Sequence, residues 1–149
     1  ADVYNGRHVS PAAVAAHECG HAIQHATAYQ WLQMRSQMVP MVSFSSKLMN
    51  IIMILGLIGA GVLKMFPFAT IILVFVILQA VVTLFTLVTL PVEFDASRRA
   101  LIWLKSANIS TPQEVNFAED ALKWAASTYV VAALAAAAYL LYYVALLKE

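Results

Sequence analysis

Residues 68–90, FATIILVFVILQAVVTLFTLVTL, run for 23 positions without a charge. A helix of about 20 apolar residues is enough to cross the roughly 30 Å hydrocarbon core of a bilayer, and no other feature of the sequence restricts the fold as much. Two weaker runs accompany it. Leu48–Leu63 reads as the first leg of a hairpin, with Lys64 able to snorkel and the reversal at Lys64-Met65-Phe66-Pro67. Ala125–Leu147 is alanine-rich and uncharged. A soluble domain of 149 residues has too little interior to cover three such helices, so burial in a protein core is the poorer reading. Composition agrees: 62% of residues are hydrophobic and 11% charged, with a mean hydropathy of +0.76, whereas about a quarter of a soluble domain is charged.

The remaining segments are polar enough to lie outside the bilayer. Ser10 and Pro11 suit a helix start, and that helix is expected to run to Arg35 or Val39 and stop before Pro40. A second polar helix is expected to open after Pro91 and carry Glu93 to Lys105. A third starts at the capping box Thr111-Pro112-Gln113-Glu114, with nothing to break it before Leu147. The expected fold is an all-α polytopic membrane protein: three transmembrane helices and one amphipathic helix. We expect a single membrane-embedded core, with a motif helix in 1–46, a transmembrane hairpin in 47–90, a polar connection in 91–124 and a last transmembrane helix in 125–149. The sequence opens Ala-Asp-Val with neither an initiator methionine nor a leader pattern, and the expectation is a processed product or a fragment. A net charge of +1 with scattered basic residues argues against a nucleic-acid partner. The lone Cys19 excludes an internal disulfide.

The chemistry concentrates in AAVAAHECGHAIQHATAYQ, residues 12–30, which contains His17-Glu18-x-x-His21. Residues four apart on a helix share a face about 6 Å apart along the axis, so both imidazoles can reach one ion. Glu18 lies about 100° round from His17, placed to act on a water rather than as a ligand. That division of roles suits hydrolysis: a zinc ion lowers the pKa of water and polarises a carbonyl, and the carboxylate moves the proton. Cys19 points away and reads as a small packing residue, with Gly20 permitting a close helix contact. The plainer alternative is two packed surface histidines. His25 continues the same face, yet three ligands from one straight helix would span roughly 12 Å, so it reads as a supporting or merely polar residue.

Hydrolytic zinc takes three protein ligands and keeps one position open, so a third ligand must come from elsewhere. If the hairpin crosses the membrane and returns, Glu93, just past Pro91, lies on the same side as His17 and His21. Asp95 is the rival, about 200° round from Glu93. A solvated ion pair with Arg98 or Arg99 is the plain reading of either acid. Glu114 and Glu119 read as capping and solvated residues.

Val3-Tyr-Asn-Gly-Arg-His-Val-Ser, then Val14-Ala-Ala-His-Glu-Cys-Gly-His-Ala-Ile-Gln-His25, then Pro91-Val-Glu-Phe-Asp-Ala-Ser-Arg-Arg-Ala-Leu101 resemble the bacterial neutral zinc metallopeptidases of the YugP-like type. The resemblance covers most of the chain and implies one zinc on His17, His21 and Glu93, with Glu18 as general base. Glu93-Phe-Asp-Ala-Ser97 is also similar to the Glu-x-x-Ala-Asp pattern of membrane gluzincins related to CAAX-processing and heat-shock proteases, with Ser97 standing where those have Asp. That departure removes a carboxylate that would orient a histidine. The family further implies a membrane helix and a polar segment upstream, where this sequence begins 16 residues before His17.

Arg35, Lys47, Arg98, Arg99, Lys105 and Lys123 lie near the motif-side ends of the spans, against Lys64 and Lys148 at the other, which puts the motif on the cytoplasmic face of a bacterial inner membrane. The resulting expectation is a zinc metalloendopeptidase acting on membrane-proximal polypeptide. Its partners are the lipid bilayer and, compatibly, a membrane-protein complex. A site-2-type intramembrane protease is disfavoured because Gln24, His25, Gln30, Gln33 and Arg35 make the motif helix too polar to span. A non-catalytic scaffold subunit with a residual metal site is the alternative from another class.

Overall fold

The computed structural model of the protein describes residues 9–58, 65–107 and 110–148. Its elements are α1 (Val9–Ala26), α2 (Gln30–Ile58), α3 (Phe68–Ser106) and α4 (Pro112–Lys148), with no strand among the described residues. Helices α2, α3 and α4 are each long and apolar enough to cross a membrane. Much of their apolar surface is unburied: Leu57 and Ile58 are 83% and 85% exposed, which suits lipid contact rather than water.

The motif helix ends earlier than the sequence suggests. Ala28 adopts a left-handed conformation, φ 51°, with Tyr29 N–H donating to Gln24 O (2.9 Å) and Ala28 N–H to His25 O (3.2 Å). These are the two bonds of a Schellman C-cap. The cap normally announces itself as Gly or Asn; here an alanine takes the position at a cost of about 1–2 kcal/mol, so the stop is invisible in the residue types. The chain then starts afresh in α2 instead of continuing to Arg35 or Val39.

Both prolines expected to mark helix ends lie inside helices instead, Pro40 in α2 and Pro91 in α3. A proline removes one amide donor and bends a helix. In a segment bordering lipid a full break would uncover several backbone groups, so continuing through the proline is the cheaper course. The separate polar helix expected after Pro91 is therefore the C-terminal part of α3. Met65 and Phe66 lead through Pro67 into α3, while the remainder of the expected hairpin turn, including Lys64, lies outside the described residues. The capping box behaves as read: Thr111 N–H donates to the Glu114 carboxylate at 2.7 Å, and Glu114 N–H to Thr111 Oγ1 at 3.3 Å.

The chain divides into two compact units. One comprises residues 1–34 and 88–131, with a core of Ala13, Ala16, Ala100, Leu104, Ala118 and Leu122. Four alanines in that set let α1, α3 and α4 approach closely. Gly20 extends this: a Cβ there would collide with the Ala96 carbonyl oxygen and lie 3.0 Å from its carbon. The other unit comprises 35–87 and 132–149. There Gln79 Nε2 and Thr83 Oγ1 both donate to Ala136 O, at 3.0 and 3.1 Å, and the Phe75 and Tyr143 rings lie 5.3 Å apart. Polar side chains bonded between apolar helices are a usual adhesive where lipid offers no hydrophobic drive.

Candidate metal centre

Helical spacing puts His17 and His21 on one face of α1, with ring centroids 4.7 Å apart at 87°. Glu93 comes to them from α3, placed by unbroken helix beyond Pro91 rather than by a turn. Its Oε2 is 3.2 Å from His17 Nε2 and 3.6 Å from His21 Nε2, with its side chain only 3% exposed. One ligand atom from each of the three residues lies within 4.8 Å of the others. Two imidazole nitrogens and one carboxylate oxygen are the donor set of hydrolytic zinc sites, and residues on one helix face closed by a buried acid fit such an ion.

The outward nitrogens of both rings are also engaged. Ser97 Oγ is 3.1 Å from His17 Nδ1, so a hydroxyl, not a carboxylate, meets that nitrogen. Gln24 Oε1 is 2.9 Å from His21 Nδ1. Fixing Nδ1 turns each Nε2 toward Glu93, the arrangement in which outer partners orient metal-ligating histidines. The Glu93 carboxylate beside it raises the His21 pKa above its usual value, with burial opposing and Gln24 assisting.

Gln24 is the residue the sequence reading missed. It is fully buried, and its Nε2 donates to Val92 O at 2.8 Å and to Asp95 Oδ2 at 2.9 Å. The available signal was its position one turn past His21, since an amide on a helix face that packs must find partners. Asp95, the rival third ligand, lies outside the cluster. It accepts from Arg99 Nε at 2.6 Å and sits 3.9 Å from the Arg98 guanidinium, and Arg99 stands over the Tyr29 ring at 5.8 Å. Glu18 and His25 are exposed. Cys19 is exposed as well rather than packed, because the contact face of α1 is carried by Ala13, Ala16, Gly20 and Gln24. An open groove of about 390 Å³ in the same unit is lined by Ile23, Arg98, Arg99, Ile102, Trp103 and Ser106.

Residues 1–148 match the family model described as "Putative neutral zinc metallopeptidase". The "Putative membrane protease YugP" of Bacillus subtilis (strain 168) is 39% identical over 139 residues, 89% of this chain and 56% of the relative. The chain thus spans about half the length of that curated relative. No solved structure matches it. With a family match over residues 1–148 and a relative 39% identical across 89% of its length, the chain belongs to the family described as "Putative neutral zinc metallopeptidase".

Proposed function

We propose that the chain is the core of a membrane zinc endopeptidase of the gluzincin type. His17, His21 and Glu93 hold one zinc and Glu18 acts as general base. The observation that carries this reading is the approach of one buried carboxylate to two imidazoles from a second helix. Bound zinc would supply Lewis acidity and make water acidic enough to attack near neutral pH. The chain's own residues do the rest. Ser97 and Gln24 hold the two rings, buried Glu93 offsets the ion's charge, and Glu18, one residue from His17 and exposed, can take a proton from water and return it to the leaving amine. All four segments form one functional core in this reading.

The substrate class is membrane-proximal polypeptide, and the site faces the cytoplasm of a bacterial inner membrane. Support for the sidedness is the excess of basic residues at the motif-side ends of the uncharged runs. Protein purified in detergent should contain about one zinc per chain and cleave an unstructured peptide in a chelator-sensitive manner. Cleavage that is indifferent to metal removal would overturn the proposal.

A further inference from the structure

We propose that Gln24 is a positioning residue that decides which nitrogen of His21 carries hydrogen, leaving Nε2 bare toward Glu93 and an incoming cation. The inference rests on reading His21 as a ligand, and its first measurement needs no metal.

The argument is one of donor and acceptor types. Val92 O and Asp95 Oδ2 can only accept, so the Gln24 amide nitrogen, 2.8 and 2.9 Å from them, faces both. The amide oxygen is thereby turned to His21 Nδ1 at 2.9 Å. An oxygen that only accepts requires Nδ1 to be an N–H. Rotating the amide by half a turn would set its oxygen against two acceptors in a site with no exposure, leaving buried groups unpaired. Asp95 is in turn held by Arg99 Nε at 2.6 Å, and a guanidinium can only donate. From Arg99 through Asp95 and Gln24 to His21 the chain of bonds therefore has one permitted sense.

That sense matters because Glu93 competes for the same hydrogen. Its Oε2 is 3.6 Å from His21 Nε2. A neutral imidazole has one N–H; offered only Glu93, the ring would place it on Nε2 and block the nitrogen that should ligate. Gln24, the closer acceptor, keeps the hydrogen on the far side. His17 lacks such a lock, since the Ser97 hydroxyl at 3.1 Å can donate or accept. The two histidines are thus held by unlike devices, and only His21 has its hydrogen kept on Nδ1 by an oxygen that can do nothing but accept.

The test uses the full chain in detergent micelles with ¹⁵N-labelled histidine, metal-free and at alkaline pH where the imidazoles are neutral, with His21 assigned by its loss in His21→Asn. Long-range ¹⁵N–¹H correlation should find His21 as the Nδ1–H tautomer in the wild type and as Nε2–H in Gln24→Met, a substitution of similar size without the amide. Ser97→Ala should leave the His21 tautomer unchanged. Zinc affinity, measured against a chromophoric chelator, should fall about 10–100-fold in Gln24→Met. An Nε2–H tautomer in the wild type, or an unchanged Nδ1–H in the variant, overturns the inference. If Gln24→Met fails to fold, the wild-type spectrum still decides. Should the wild type hold Nδ1–H and the variant lose it while neither binds zinc, the positioning role stands and the metal reading falls.

Discussion

The main chain of Ala96 occupies the space that a side chain at Gly20 would need. Gly20 lies one residue before His21, and Ala96 one residue before Ser97 and three after Glu93. A close approach of α1 to α3 therefore falls inside the His/Glu cluster. Glycine costs helix stability of about 0.5–1 kcal/mol relative to alanine, and the contact it permits is what brings the acid to the imidazoles.

Gly20→Ala should accordingly lower stability despite its better helix propensity. The backbone of α3 cannot swing aside as a side-chain tip can, so overpacking of about 1–3 kcal/mol outweighs the propensity gain. The thermal midpoint should drop and zinc content should fall with it. A variant that is more stable and retains full zinc would show that the two helices are not in this contact.

Removal of any of the three clustered residues should empty the site. His17→Ala, His21→Ala and Glu93→Ala are expected to lose most bound zinc in metal analysis, whereas His25→Ala, at an exposed position outside the cluster, should keep it. Asp95→Ala should fall between, because it only braces Gln24. Equal zinc in wild type and Glu93→Ala would exclude Glu93 as a ligand.

Glu18→Gln separates binding from chemistry. Glu18 is exposed and absent from the cluster, so the amide should preserve zinc while turnover drops about 10²–10⁴-fold for want of a proton acceptor. Loss of zinc in that variant would mean the glutamate is a ligand.

Sidedness is open to cysteine labelling in a Cys19→Ser background. A cysteine at Ser106 should be protected from an impermeant reagent in intact cells, and one at Met65 should react; Ser106 is the exposed last residue of α3 and Met65 is exposed in the turn before it. The reverse pattern would place the site outside the cytoplasm and change the substrate class.

Within the second unit, Gln79→Leu should destabilise only modestly, by about 0.6–1.7 kcal/mol. Thr83 Oγ1 still donates to Ala136 O when Gln79 is gone. Unfolding in mixed micelles checks this, and a loss of folding altogether would give Gln79 a larger part than two shared bonds suggest.

The sequence by itself determined the membrane class, the shared face of His17 and His21 and the capping of α4. Each of these is a local property: an uncharged run long enough for a bilayer, a four-residue spacing, a Thr-x-x-Glu pair closed by its own hydrogen bonds. It did not determine where helices end. Ala28 caps α1 in a conformation that alanine does not advertise, and Pro40 and Pro91 are carried through because breaking a helix beside lipid uncovers more backbone than one proline does. Nor could it separate Glu93 from Asp95, two acids on one helix, or find Gln24. Those depend on which face of α3 meets α1. That face is selected by Gly20 against Ala96 and by the alanines around them, a contact between residues some seventy positions apart that no local pattern encodes.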